Sequence, residues 1–420
     1  MQRQKLFIKI NIMININLIS QLARIFSRIT VFSIICFYSC FNTNPKTGSN
    51  QSIPIVDLTK DYPEKEFVVD EADMEYIPLE TTTEVLTDRD FSIVFVSDNH
   101  IVGMNRQRGD IFIFGRDGKV ISFFNHKGNS GIEYRYISSI VFDEVKKEIF
   151  VTDQNRNRCA VFSADGNFLR QFNFPANSWI RNLYNFDDET LLAYNQDRVG
   201  VSYEGDNNMN QKMPYVFLSK SDGSLISRLN LSFSKRVSDT QITNNSSSGM
   251  SGITITSPNQ NVKFGDEFVI ADRSSDTVFL LTQDKKLSPL FVRKPSAFGD
   301  ENRTIIMSVH FKTDKYLFFL TYLLDWNEVK RQSEKGEQYR PAIRPFAYDL
   351  HTGEVYKPVG REPVGFLTDA PKNACVGIYS ADNLVDRLKK GRLGGKIKEV
   401  AQTLKEEDND VVEIIKYQER

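Results

Sequence analysis

Two segments of the chain repeat one pattern that few folds can accommodate. Residues 111–124 and residues 159–172 each contain a β-rich run, a turn with the dipeptide Asp-Gly, and a second β-rich run. Asp-Gly between apolar runs is a strong hairpin signal, because glycine adopts positive φ without steric cost. The turn glycines, Gly118 and Gly166, are 48 residues apart, and two more strand-like runs lie between the hairpins. The repeating unit therefore contains four strands.

Similar four-strand units follow, with turns near Gly223, Lys285 and Gly353. A four-strand unit that recurs at roughly 40–50 residues is typical of a β-propeller blade. The intervals between successive turns grow from 48 to 68 residues, because the loops lengthen while the unit stays the same. Five complete blades are predicted in this way.

A sixth blade needs strands from both ends of the chain. Residues 365–368 and 374–379 supply two runs, the last strand spans 411–417, and an orphan strand lies at 74–79. Closing the ring with terminal strands removes the open sheet edges that would otherwise template aggregation. The sequence thus predicts an all-β, six-bladed β-propeller of four-stranded antiparallel blades over residues 70–420. A short helix is expected near the C-terminus.

The first 40 residues have the pattern of a secretory signal. Residues 1–39 carry five basic residues and no acid, and the apolar run at 29–40 is shorter than the roughly 20 residues that span a bilayer. Ser39-Cys40 at its end resembles the lipobox of bacterial lipoproteins, although Phe37 and Tyr38 depart from the usual pattern. We predict a signal peptide over 1–40 with a lipidated Cys40, the alternative being an ordinary signal peptide or anchor. Residues 41–69 are predicted to be a flexible tether.

Charge and cysteine content limit the classes of function that the chain can have. Without residues 1–39 the chain keeps 48 basic and 54 acidic residues, a net charge of about −6. This balance argues against a general nucleic-acid binder, which needs a basic face. Only Cys159 and Cys375 remain beyond the signal. Two cysteines make neither a disulfide framework nor a zinc site, so buried thiols are expected.

The chain resembles the NHL-like six-bladed β-propeller proteins of Gram-negative anaerobes, a family that includes many predicted lipoproteins. The matching features are the repeated Phe-x-x-Asp-Gly hairpins and the segments 76–82, 128–134 and 407–412. The family's proline is absent from the second segment, and Asp410 replaces it in the third. The resemblance covers about residues 70–420. It implies the fold and an exported protein, lipid-anchored in the cell envelope at the outer membrane, and it carries over no activity.

Propeller topology predicts which face binds a ligand. With strands A to D counted outward from the axis, the B–C and D–A loops emerge on one face, here called the long-loop face. Three long segments fall there, at residues 196–214, 232–260 and 324–344. Insertions in repeat proteins often cluster on the binding face. For residues 232–260 a mobile linker is an equal alternative.

Polar and aromatic residues are predicted to converge at the channel mouth on this face. They come from the ends of B strands, the positions just beyond them and one D–A loop, and they are Asn105, Arg106, Glu133, Tyr134, Arg135, Asp153, Arg156, Asn195, Asp272, Arg273 and Tyr322. Such a set suits a polar ligand. The alternative for any one of them is local, because Asp and Asn at strand ends commonly cap turns through their own backbone.

Two functions remain open. The first is a monomeric binding protein without a cofactor, which takes a polar small molecule, a glycan, a peptide or an envelope protein on the long-loop face. The second is a hydrolase or lyase that uses axial Asp, Asn or Glu side chains, with Ca²⁺ as a conceivable cofactor. We favour binding, because the four histidines are scattered and no zinc, nucleophile-elbow or phosphate-loop motif occurs.

Overall fold

The computed structural model describes most of the chain beyond residue 51. The described residues are 52–196, 212–237, 240–244, 251–255, 261–300, 302–335, 337, 339, 341–360 and 369–417. The predicted signal peptide and Cys40 lie outside them. Among the described helices, none is long and apolar enough to cross a bilayer.

The strands follow one another in sets of four. Three strands come first, namely β1 (Ile55–Asp57), β2 (Glu64–Phe67) and β3 (Met74–Pro78). Blade 1 contains β4 (Phe91–Val96), β5 (His100–Asn105), β6 (Asp110–Gly115) and β7 (Val120–Asn125). Blade 2 contains β8 (Ser139–Asp143), β9 (Glu148–Asp153), β10 (Arg158–Ser163) and β11 (Phe168–Asn173). Blade 3 contains β12 (Ile180–Asn185), β13 (Thr190–Asn195), β14 (Tyr215–Ser219) and β15 (Leu225–Arg228).

The later blades carry the additional elements. A two-stranded hairpin comes first, formed by β16 (Thr240–Asn244) and β17 (Ser251–Ile255). Blade 4 contains β18 (Asn261–Phe264), β19 (Glu267–Ile270), β20 (Thr277–Leu281) and β21 (Leu287–Lys294). Blade 5 contains β22 (Arg303–Lys312), β23 (Tyr316–Asp325), helix α1 (Trp326–Glu334), β24 (Ile343–Asp349) and β25 (Val355–Gly360). The last elements are β26 (Ala374–Tyr379), α2 (Ala381–Lys389), α3 (Gly395–Ala401) and β27 (Val411–Lys416).

The architecture is the predicted six-bladed β-propeller of antiparallel blades. Blades 1 to 5 each have four consecutive strands in order from the inside outward. Clusters of buried apolar side chains fill the spaces between neighbouring blades; one of them joins Val102 and Ile113 of blade 1 to Ile140 and Phe162 of blade 2. The expected helix near the C-terminus is present as α2, with α3 after it.

Strands from both ends of the chain close the ring, as predicted. Within the described residues the sixth blade has the order β26-β27-β3, and all its pairs are antiparallel. In this order, β26, β27 and β3 take the positions of strands B, C and D in the other blades. The predicted strand at residues 365–368 lies outside the described residues. Just after it, the main chain of Asp369 hydrogen-bonds to Val94 and Val96 of the innermost strand β4.

Part of the predicted tether is wrong. Within residues 41–69, β1 pairs in parallel with β21 on the outer edge of blade 4, and β2 pairs in parallel with β25 on blade 5. The two strands β1 and β2 are here called the strap strands, and Val56 of β1 is completely buried. The two strands are short, and β2 has a largely charged sequence, so neither shows an apolar alternation. They cover sheet edges that would otherwise expose unpaired backbone groups.

The Asp-Gly turns pack one blade against the preceding one. Gly118 has φ of +83°, and a Cβ atom built on it would lie 2.1 Å from the carbonyl oxygen of Pro78. Gly166 has φ of +82°, and its Cβ would lie 2.7 Å from the ring of Phe124. Glycine is therefore required at these two turns both for backbone conformation and for close approach.

Candidate ligand site

The predicted residues at the ends of B strands hold nearby turns. The side-chain oxygen of Asn105 accepts the main-chain N–H of Arg108 at 2.8 Å. Asp153 Oδ2 accepts the N–H of Arg135 at 2.9 Å, and Asn195 Oδ1 accepts the N–H of the residue before β12 at 2.5 Å. All three side chains are buried. Their hydrogen bonds run along the loops of their own blades, which is the capping role that Asp and Asn often have at strand ends.

Asp272 is engaged in the same way. Its Oδ1 accepts the N–H of Ser274 at 2.7 Å, and its Oδ2 accepts the hydroxyl of Tyr215 at 2.8 Å. Burial, followed by the Asp272 charge, raises the pKa of the Tyr215 hydroxyl well above its usual value. Within the part of the chain that the structure describes, no three His, Cys, Asp or Glu side chains are grouped as a metal site would require.

A second set of predicted residues stabilises the loop between blades 1 and 2. The Arg156 guanidinium donates to the carbonyl oxygens of Ser130 at 3.1 Å and Glu133 at 2.8 Å. The Glu133 carboxylate accepts the N–H of Ser130, and hydrogen bonds from that residue lower its pKa. Tyr134 is fully buried and donates its hydroxyl to the carbonyl of Gly109 at 2.6 Å.

Arg106 belongs to the same set. Its guanidinium donates to the carbonyl oxygen of Ser138 at 3.0 Å, at the end of this loop. Arg135 likewise donates a side-chain hydrogen bond to Asn129, at 3.0 Å. The structure therefore gathers these predicted residues into a loop-holding network.

A pocket of about 280 Å³ opens on the long-loop face at blades 4 and 5. Its walls come from the D–A loop after blade 3, the B–C loop after β19, the end of β21 with the D–A loop that follows it, and the start of β22. The lining residues are Lys235, Arg236, Val237, Arg273, Arg293, Ala297, Phe298, Asp300, Thr304, Ile305 and Ile306. Four of these described side chains are cationic and one is acidic, so this part of the lining is basic.

Three of the predicted residues lie at or near this pocket. Arg273 lines it directly. Tyr322 is paired across the sheet with the lining residue Ile306, and burial raises the pKa of its hydroxyl against the influence of the Arg273 charge. The carbonyl oxygen of Asn195 accepts a hydrogen bond of 3.4 Å from Arg236.

The most enclosed cation of the pocket is Arg293, whose residue surface is 7% exposed. Its Nε donates to the carbonyl oxygen of Pro295 at 3.1 Å and its Nη2 to that of Ile305 at 2.5 Å. Burial lowers the pKa of the guanidinium to about 10, with Arg273 adding to this effect and Asp276 opposing it. Arg293 therefore remains a cation at neutral pH, held by main-chain dipoles.

Arg236 is a second cation that lines the pocket. Its Nη2 donates to the hydroxyl of Tyr194 at 2.9 Å, and its guanidinium lies 5.4 Å from the centre of that ring. Burial disfavours its charge, but Tyr194 and Asp272 more than offset this and raise its pKa. The side chain is thus fixed as a cation beside the pocket.

Sequence reasoning missed Lys235, Arg236, Arg293 and Phe298 as candidates. The prediction considered the ends of B strands and the D–A loop after blade 1, whereas Arg293 lies near the end of the D strand β21 and the other three lie on the D–A loops after blades 3 and 4. D-strand ends and D–A loops reach the same face as B-strand ends. The basic pair Lys235-Arg236, within a segment otherwise rich in Ser, Asn and Gly, was the available signal.

Fold and pocket together define a six-bladed β-propeller with a basic cavity on its long-loop face. A family model described as a domain of unknown function (DUF4934) matches residues 53–416, and the chain belongs to this family. The match begins just before β1, so the family's domain includes the strap strands. No curated protein matches the chain.

Solved structures share the fold. A protein of Bacteroides fragilis, described as an exported-protein candidate, is 15% identical with a TM-score of 0.57, over 87% of this chain and 100% of that one. A DUF4221 family member from Bacteroides vulgatus is 10% identical with a TM-score of 0.45, over 83% of this chain and 96% of that one. The first similarity concerns the fold alone, and the second is too distant to support an argument.

Proposed function

We propose that this protein is an exported binding protein of the cell envelope. It takes a polar ligand, such as a glycan or a peptide, or a partner protein on the long-loop face, and it acts as a monomer without a cofactor. The observation that carries this proposal is the pocket of about 280 Å³ at blades 4 and 5. Its volume lies just under the roughly 300–1,000 Å³ of drug-sized ligand sites.

The hydrogen bonds of the strand-end side chains favour binding over catalysis. Asp153 and Asp272, the carboxylates that an axial hydrolase would use, already accept hydrogen bonds from main-chain N–H groups at 2.9 and 2.7 Å. Loop structure thus accounts for Oδ2 of Asp153 and Oδ1 of Asp272. The pocket, in contrast, combines an open cavity with cationic and aromatic side chains in its lining.

Export and lipid attachment are supported by the N-terminal pattern. Five basic residues precede a short apolar run that ends at Cys40, and this order is typical of a secretory signal. The exported-protein candidate from Bacteroides fragilis has a similar fold. We infer that lipidated Cys40 anchors the domain to the outer membrane.

The anchor is tested by replacing Cys40 with serine. The wild type is expected to incorporate labelled palmitate and to sediment with membranes, whereas Cys40→Ser should incorporate none and appear in the soluble fraction. Cys36→Ser, four residues earlier in the apolar run, is the matched control and should behave as the wild type. A wild type that fractionates as soluble would refute the anchor.

The binding function is tested by a thermal-shift screen of neutral and charged glycans and short peptides. A ligand that binds only the native state raises the apparent stability, by about 2.7 kcal/mol at a hundredfold excess over Kd. Ala297→Trp is designed to fill the pocket and should abolish the shift. Lys119→Trp, on an exposed turn of the opposite face, should retain it. A shift that survives Ala297→Trp but not Lys119→Trp would place binding on the other face.

A further inference from the structure

Arg293 is balanced differently from several other enclosed cations of the molecule. Arg170 and Lys312 reach carboxylates, Glu148 at 2.7 Å and Glu267 at 2.7 Å. Among the described residues, no carboxylate lies within ion-pair distance of Arg293, and its acceptors are two carbonyl oxygens. Taking a cation out of water without a counter-charge is unfavourable. An incoming anion would supply that counter-charge.

The two described acidic residues at the pocket, Asp276 and Asp300, both accept hydrogen bonds from main-chain N–H groups. Asp276 Oδ1 accepts the N–H of Ala297 at 2.6 Å. Asp300 is exposed, and its Oδ1 accepts the N–H of Asn302 at 2.8 Å. Among the described lining residues, four side chains are cationic and one is acidic. This described lining carries a net positive charge, and guanidinium groups are well matched to planar or tetrahedral oxyanions.

Apolar side chains also line the pocket. Phe298 is 41% exposed at the pocket edge, and Val237 and Ile306 line the same cavity. An exposed aromatic face beside a positive field suits a ring that carries one charged group. The volume of about 280 Å³ accommodates one such ring rather than an extended chain.

We propose that the pocket binds a small ring bearing a single oxyanionic group, a carboxylate, sulfate or phosphate, as in an acidic sugar unit. Arg293 and Arg273 receive the oxyanion, and Phe298 packs against the ring. This inference rests on the proposed binding function and specifies its ligand class. Removal of the Arg293 charge is then expected to have two opposite effects, since the free protein loses an unfavourable buried charge while the complex loses a partner.

The test is calorimetric titration of the full-length protein with glucuronate, glucose 6-sulfate, glucose and inorganic sulfate. At least one acidic sugar should bind at least tenfold more tightly than glucose. Arg293→Met should weaken that binding by roughly 10- to 100-fold, the value of one or two charge-assisted hydrogen bonds. Without ligand, the same variant should unfold at a temperature equal to or above that of the wild type.

The matched control is Arg158→Met. Arg158 is also buried, at 8% exposure, and donates to the carbonyl oxygen of Gly131 at 2.7 Å, but it lies outside the pocket. Its replacement should leave affinity for the acidic sugar unchanged. Phe298→Ala should weaken binding of the sugars but not of inorganic sulfate, which has no ring.

Other outcomes overturn the inferred ligand class, and each of them can be told apart from a failure of the proposed binding function. Equal binding of glucose and glucuronate would remove the anionic requirement while keeping a polar ligand on this face. Preference for an acetylated dipeptide over its C-terminal amide, with no sugar bound, would replace the ring by a peptide carboxylate. If no acidic probe binds, the ligand class is wrong, and the neutral members of the screen above still decide the proposed function.

Discussion

Replacing Lys220 with methionine is expected to lower the free energy of unfolding by about 3–5 kcal/mol, the usual cost of breaking a buried ion pair. Lys220 Nζ of blade 3 lies 2.6 Å from Asp143 Oδ2 of blade 2, and the two side chains are only 2% and 4% exposed. Methionine fills much of the same space but leaves the carboxylate buried without its counter-charge. Urea unfolding of the wild type and variant measures the difference.

Two further variants identify the cause. Asp143→Asn combined with Lys220→Met removes both charges, and its amide oxygen can still accept the N–H of Lys146 that Asp143 now accepts at 3.1 Å. This double variant should be more stable than Lys220→Met alone. Lys389→Ala breaks an ion pair whose side chains are 65% and 60% exposed, and it should change the stability little, because solvent screens exposed ion pairs. If Lys220→Met costs no more than Lys389→Ala, the pair does not join blades 2 and 3 as described.

Shortening Ile414 to alanine should cost about 2–5 kcal/mol, as for other buried Ile to Ala changes. Ile414 lies on β27, in the middle of the closing blade, and it is completely buried. Its cluster includes Ile77 of β3, Val376 of β26 and Phe112 of blade 1. The side chain therefore joins both ends of the chain to the first blade, and a cavity there weakens the closure of the ring.

A control on the same strand distinguishes the effect of losing a buried side chain from the effect of any substitution on β27. Lys416 is exposed at the end of β27, and Lys416→Ala should change the stability by less than about 0.5 kcal/mol. Equilibrium unfolding of both variants in urea gives the comparison. Equal, small effects would mean that β27 does not complete the sixth blade.

Local patterns were sufficient to predict the blades and the face of the insertions. The Asp-Gly turns identified hairpins because glycine answers a purely local backbone requirement. The hairpin β16–β17 and helix α1 fall within the D–A and B–C segments predicted to be long. The strap strands β1 and β2 were missed, because their pairing depends on docking against the edges of blades 4 and 5.

The candidate site was harder to predict, because residue type does not distinguish its two possible roles. Asn and Asp are common both as turn caps and as ligand-binding groups. The hydrogen bonds of Asn105 and Asp153 to main-chain N–H groups show that these two residues cap turns. Arg273 was predicted from its place after a B strand, whereas Arg236 lies on the D–A loop after blade 3 and Arg293 lies near the end of the D strand β21. Only the three-dimensional arrangement brings these three guanidinium groups to one cavity.

The central claim is that the basic pocket of the long-loop face receives an oxyanion. It is tested most directly by anomalous diffraction from crystals soaked in selenate, whose selenium reports the position of a tetrahedral oxyanion. We expect the strongest selenium peak inside the pocket, within hydrogen-bond distance of Arg273 and Arg293, and its loss in Arg293→Met. Selenium peaks confined to other surfaces, with the pocket empty, would contradict it.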